Sequence, residues 1–151
     1  MKLSTKGRYA VMAMADLARM GAEGPVTLSD IASRQEISLS YLEQLFAKLR
    51  RAGLVKSARG PGGGYRLARA AADTRVADIM LAVEEPVDVT RCRHQVRGCM
   101  ETGARCITHD LWDELGRHIH LFLAGVTLDD VIRQRVAGRA ALNPLMLEAA
   151  E

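Results

Sequence analysis

No apolar run in this 151-residue chain approaches the ~18 residues needed to cross a membrane. Apolar stretches between Met1 and Met20 are broken by Lys2, Lys6, Arg8, Asp16 and Arg19, so neither a signal peptide nor a membrane partner is expected and the location should be cytoplasmic. Cysteine is scarce and odd in number at three, and no C-x-x-C pair occurs. That disfavours a closed disulfide framework and a dithiol redox motif. There is no G-x-x-x-x-G-K-S/T loop for a nucleoside phosphate. Internal repeats and long low-complexity tracts are missing as well. No strand–turn–helix houses a nucleophile, so the chain is expected not to be an enzyme.

What is present belongs to a globular protein, 48% apolar and 26% charged, long enough for one domain and an appendage. The net charge of +3 is unevenly placed. Residues 1–70 carry 12 Lys and Arg against 5 Asp and Glu, whereas residues 71–151 carry 9 against 13. An N-terminal half at +7 calls for a polyanionic partner, because each phosphate neutralised releases counterions.

Periodicity supplies the fold. Tyr9, Ala10, Ala13, Met14, Leu17 and Ala18 recur at helical spacing over Lys6–Met20, ended by Gly21 and Gly24. Thr27 to Asp30 fits a second helix start. Ser40-Tyr41-Leu42-Glu43 reads as a capping box for a third helix, with Ser40 the N-cap, running to about Ala52 before Gly53. Leu54 and Val55 begin a strand, Gly60-Pro61-Gly62-Gly63-Gly64 turns it, and Tyr65 and Leu67 return. This order is that of a mainly α winged helix–turn–helix, expected over residues 1–83 with a short helix from Arg75 to Val83. Residues 84–108 lack apolar period and contain the cysteines. A longer helix follows from His109 to about Ala124, with Leu111, Leu115, Ile119 and Phe122 on one stripe. Thr127 to Asp130 caps a last helix through Val131, Ile132 and Val136, so residues 109–136 form a helical unit. Residues 137–151 read as a weakly ordered tail.

In the third helix, Leu42, Leu45, Phe46 and Leu49 form the packing face. Tyr41, Gln44, Lys48 and Arg51 are expected to point outward, as a recognition helix for double-stranded promoter DNA requires. Gln44 can pair with adenine, Tyr41 and Ser40 can bond phosphate, and Lys48 and Arg51 can neutralise the backbone. Ser38 and Ser40 fall where the helix start would meet a phosphate. Glu43 repels phosphate; it either closes the capping box or selects sequence by accepting from cytosine. In the wing, Gly62 and Gly63 permit close approach to DNA, and Arg59 can enter a minor groove.

All three cysteines lie in one loop, Cys92, Cys99 and Cys106, with His109 following as C-x6-C-x6-C-x2-H. Thiolates and imidazole bind soft metals and iron–sulfur clusters. A Cys3His zinc site has suitable ligand types, and unligated thiols are the bland alternative. Two six-residue spacers are long for zinc, and a wide, flexible loop suits a broader object than one ion. Cys106 and His109 could present two ligands from a helix start. His94 competes with His109 for the nitrogen position. His118 falls on the apolar stripe, as an interface or core residue, and His120 on the opposite, solvated face.

The stretches KGRYAV, ISLSYLEQLF, RGPGGGY and RC…GC…RCITHDLW resemble a family of winged-helix, cluster-sensing bacterial repressors that govern iron–sulfur cluster assembly genes. The resemblance runs from Met1 to roughly Val136. It implies a homodimer joined through the helix after the loop, and a [2Fe–2S] cluster on Cys92, Cys99, Cys106 and His109, with the assembly machinery as donor. It also implies repression by the loaded protein and a change of promoter selection when the cluster is lost. Each spacer is one residue longer than the family's, and the tail after Ala137 has no counterpart. A nitric-oxide- or redox-sensing relative in the same family is the alternative, beside a zinc-stabilised DNA-binding module. The nitric-oxide sensor can draw a ligand from an aspartate in the first helix. Arg8 stands there in this chain, and His109 favours the assembly regulator.

Overall fold

The computed structural model describes residues 4–90 and 98–137. Cys92, His94 and the tail from Gly138 lie outside the described residues. Helices α1 (Thr5–Met20), α2 (Leu28–Gln35) and α3 (Leu39–Arg51) are followed by strands β1 (Val55–Ala58) and β2 (Gly64–Leu67), a 3-10 turn (Ala71–Asp73), and helices α4 (Val76–Ala82), α5 (His109–Gly125) and α6 (Leu128–Ile132).

The core follows the apolar period. Ala10, Ala13, Met14 and Leu17 of α1 are fully buried, against Ile31 of α2 and Leu42, Leu45, Phe46 and Leu49 of α3. Each large side chain withdrawn from water here contributes roughly 1.5–3 kcal/mol. The α1–α2 junction is fixed by charge as well as by packing. The Asp16 carboxylate, buried at 4% side-chain exposure, accepts from Arg34 Nε and an Arg34 terminal nitrogen at 3.1 and 2.8 Å, and from Gln35 Nε2 at 3.0 Å.

Helix α3 starts two residues earlier than the sequence reading placed it. Ser38, not Ser40, is the N-cap, its hydroxyl accepting from Tyr41 N at 3.3 Å. Ser38 lies beyond the left-handed turn at Glu36 (φ 54°) that ends α2, and is the first residue free to bend its backbone out of the helix. Glu43 is thereby released from any capping box. The other end behaves as expected: Gly53 is left-handed (φ 72°), and its N–H and that of Leu54 satisfy the Arg50 and Leu49 carbonyls.

Strands β1 and β2 pair antiparallel, Val55 opposite Leu67 and Ala58 opposite Gly64. Val26 adds an isolated bridge to β2, exchanging 2.9 and 2.7 Å backbone bonds with Tyr65. Phe46 meets the Tyr65 ring edge-on at 4.9 Å, so the β1–β2 ribbon is moored to α3 by an aromatic contact.

Thr127 and Asp130 form the capping box of α6. This helix does not continue to Val136 as the sequence suggested. Gln134 turns left-handed (φ 54°), and the N–H groups of Gln134 and Arg135 close on the Val131 and Asp130 carbonyls. Helix α5 packs on α4 yet buries only His109 of its own residues. Its stripe residues Leu111, Leu115 and Phe122 are 62, 37 and 46% exposed, an apolar face too large to be incidental. Among the described residues no helix is long and apolar enough to cross a membrane.

Candidate nucleic-acid interface and cysteine site

Burial of Leu42, Leu45, Phe46 and Leu49 leaves Ser40, Glu43, Gln44, Arg50 and Arg51 exposed on α3. Gln44 near the helix start and Arg51 at its end stand exposed as the sequence suggested, and Glu43, freed from the capping box, is exposed beside Gln44. Tyr41 does not share that face. Its ring is half-buried, edge-on to Tyr9 at 6.0 Å, because its position on the helix turns it toward α1. Lys48 sits at the margin, its ammonium 2.5 Å from the Glu84 carboxylate at the end of α4. Ser38 is exposed, with its hydroxyl committed to the cap.

Arg59 and Gly62 are exposed in the wing turn. The chain itself has need of two of these glycines. A β-carbon on Gly63 would lie 2.6 Å from the Ala58 carbonyl oxygen, and one on Gly64 2.4 Å from that of Val26. Gly62 (φ 71°) faces open space, so only its backbone conformation requires glycine.

Three cations escaped the sequence reading. Arg50 is exposed in the last turn of α3, and Lys56 pairs directly with Arg66 across the exposed face of the wing. Like charges directly opposite one another cost stability, and neither takes part in a salt bridge among the described residues. Such a pair suits an anionic partner. The alternation Val55-Lys56 and Tyr65-Arg66 was the available signal, but it becomes legible only once the register is known.

The cysteine site is built from a tight loop and a helix start. Gly98 N donates to Gly103 O, Met100 N to Ala104 O, and Gly103 N to Met100 O, at 2.9–3.1 Å. A β-carbon on Gly98 would meet the Ala104 carbonyl oxygen at 2.3 Å, and Gly103 is left-handed (φ 84°). The spacer between Cys99 and Cys106 is thus a stapled turn rather than the wide, flexible loop expected. Cys99 Sγ lies 3.0 Å from His109 Nδ1. The backbone N–H of His109 donates to Cys106 O at 3.0 Å, setting Cys106 just before the first turn of α5. A cavity of about 240 Å³ is lined by Cys99, Cys106, His109, Thr90, Thr108 and Trp112. The Thr108 hydroxyl, 3.6 Å from Cys106 Sγ, lowers the Cys106 thiol's pKa, and Cys99 adds to this. Thr90 and Trp112 were not anticipated, since neither type signals a ligand. Among the described residues no group of three ligands closes around a metal position; Cys92, the remaining cysteine, lies outside them. His118 is exposed on α5 beside Glu114, and His120 is exposed too.

A helix–turn–helix moored to a wing, with Gln44 and several cations directed outward, defines a winged-helix DNA-binding protein. A sequence model of the Rrf2 family, described as iron-dependent transcriptional regulators, matches residues 3–134, and the chain belongs to this family. It is 55% identical over 151 residues to the HTH-type transcriptional regulator IscR of Aliivibrio salmonicida, covering 95% of this chain and 89% of that one. IscR of Photorhabdus laumondii is 52% identical, covering 92 and 86%. Among solved structures, T. potens IscR superposes with a TM-score of 0.72 at 41% identity, covering 89 and 88%. CymR, the global cysteine regulator of B. subtilis, gives 0.75 at 36%, covering 89 and 98%. The protein is an IscR-like helix–turn–helix transcriptional regulator, not an enzyme.

Proposed function

We propose that this regulator acts mainly as a cytoplasmic repressor of iron–sulfur cluster assembly genes, reading cluster supply through a [2Fe–2S] cluster held by Cys92, Cys99, Cys106 and His109. The observation that carries the reading is the approach of Cys99 Sγ to His109 Nδ1 at 3.0 Å, on a cavity whose wall also includes Cys106. Two thiols and one imidazole at one cavity suit a mixed Cys and His donor set, so the residues present fit such a group. When bound, it supplies a redox- and supply-sensitive centre, and an imidazole in place of a fourth thiolate holds it less firmly.

This chain's own residues do the rest. The 98–104 turn fixes Cys99, and the first turn of α5 fixes His109, so occupancy of the site acts directly on how α5 begins. The exposed apolar stripe of α5 supports a homodimer with α5 at its centre. Two recognition helices spaced by that dimer would then read the two halves of a promoter site. Gln44 contacts base edges, Ser40 and Arg51 contact the backbone, Arg59 enters a minor groove, and Glu43 penalises wrong sequences. The cluster assembly machinery is the donor.

The test is DNA affinity across candidate promoters for the variant with Cys92, Cys99 and Cys106 all replaced by Ser. At least one promoter should lose binding. Unchanged affinity at every promoter would break the coupling between loop and DNA.

A further inference from the structure

Glu84 is out of place twice over. It is a carboxylate set against the basic recognition helix, and it occupies the left-handed position (φ 58°) that closes α4, where glycine is the usual residue. Its N–H satisfies the Leu81 carbonyl and that of Glu85 satisfies Met80, at 2.9 Å each. The geometry is therefore a complete helix-ending motif, and the backbone gains nothing from a side chain there. The side chain has one strong contact, Lys48 Nζ at 2.5 Å. Lys6 of α1 holds the Glu84 carbonyl at 3.1 Å and the neighbouring Glu85 carboxylate at 3.6 Å, which fixes this corner of the chain against the DNA-binding domain. Lys48, and after it Lys6 and Arg51, holds the Glu84 carboxyl below the usual carboxylate range. The Glu84 side chain is 73% exposed and that of Lys48 30%, so the carboxylate can swing into water while the lysine stays on its helix.

We propose that Glu84 is an internal competitor for a DNA phosphate: it occupies Lys48 in the free protein and must give it up before Lys48 can neutralise the nucleic-acid backbone. The inference rests on the reading of α3 as the recognition helix and of Lys48 as a phosphate contact. The cation condensed on that phosphate is released whichever anion Lys48 has left, so what Glu84 withholds is the strength of its own exposed ion pair, which salt weakens. Removing the competitor removes that penalty, which is largest at low salt, and so steepens the slope of log affinity against log salt by about 0.3–0.7 across a tenfold range of salt. A purely structural role for the ion pair, stapling α3 to α4, predicts the opposite sign: loss of Glu84 would loosen the helix and weaken binding.

The experiment uses the full chain, a fluorescent duplex of random sequence and a salt series, because a phosphate contact is independent of sequence. The proteins are wild type, Glu84→Gln, Lys48→Ala and the double variant, with thermal unfolding of each to show that it is folded. Glu84→Gln is expected to bind about two- to fivefold more tightly at low salt, the range an exposed ion pair can withhold, with the steeper slope. Lys48→Ala should abolish both changes in the double variant. Weaker or unaltered binding by Glu84→Gln, with Lys48→Ala still costing affinity, overturns the competition and leaves Lys48 on the phosphate. A gain that survives Lys48→Ala overturns it too, leaving general repulsion of DNA by Glu84.

Discussion

Replacing Gly64 by Ala tests how the wing is moored. The added methyl would lie 2.4 Å from the Val26 carbonyl oxygen, 2.6 Å from its carbon and 3.0 Å from Thr27 N, all backbone atoms that cannot rotate aside. Relief requires the Val26–Tyr65 bridge to open, losing bonds of 2.9 and 2.7 Å. Two such bonds are worth about 0.5–1.5 kcal/mol each, and holding a non-glycine residue at φ 150° adds about 1–3 kcal/mol. The expected loss is about 2–6 kcal/mol, a large share of the ~5–15 kcal/mol that holds a domain of this kind together. Gly62→Ala is the internal control: its position faces open space, so only the left-handed backbone is penalised, at about 1–2 kcal/mol. Urea unfolding of both variants, with midpoint and slope fitted together, reads the difference. If Gly64→Ala were no more destabilising than Gly62→Ala, the wing would not be docked through Val26 and the reasoning would fail.

Ser38→Ala should cost about 1 kcal/mol of stability by removing the N-cap of α3, while Ser40→Ala should change it by a few tenths at most; thermal unfolding of the pair decides between them. Asp16→Ala is expected to cost about 2–3 kcal/mol by urea unfolding, less than the loss of a fully buried pair because Arg34 can turn to water. Gln44→Ala should weaken binding to a specific promoter by about 1–3 kcal/mol and spare random DNA. Equal losses on both duplexes would remove Gln44 from the base-reading set.

Much of the fold could be read from the chain because its signals are local. The apolar period of α1, the Thr27 and Thr127 caps and the glycines of the wing turn are each decided within a few residues. The start of α3 was misplaced for a physical reason: Ser40-x-x-Glu43 and Ser38-x-x-Tyr41 both offer a hydroxyl three residues before an N–H, and only the turn at Glu36 decides where the backbone bends. Tyr41 was set outward because the periodicity of α3 alone cannot show that α1 brings Tyr9 against its ring. Lys48 was legible as a cation of α3, but its partner Glu84 lies 36 residues away. The cysteine site divides in the same way. Residue types and spacing pointed to Cys99, Cys106 and His109, whereas the walls formed by Thr90 and Trp112 depend on how α5 packs back toward the segment that follows α4.

The Cys and His site is proposed to hold a cluster and not a single ion. Anaerobic purification of the full chain, followed by visible absorption and metal analysis, tests it most directly. A cluster makes the protein red-brown with about two irons per protomer, and colour and iron should be lost together when Cys92, Cys99 and Cys106 are replaced. A colourless protein holding about one zinc per protomer would contradict it.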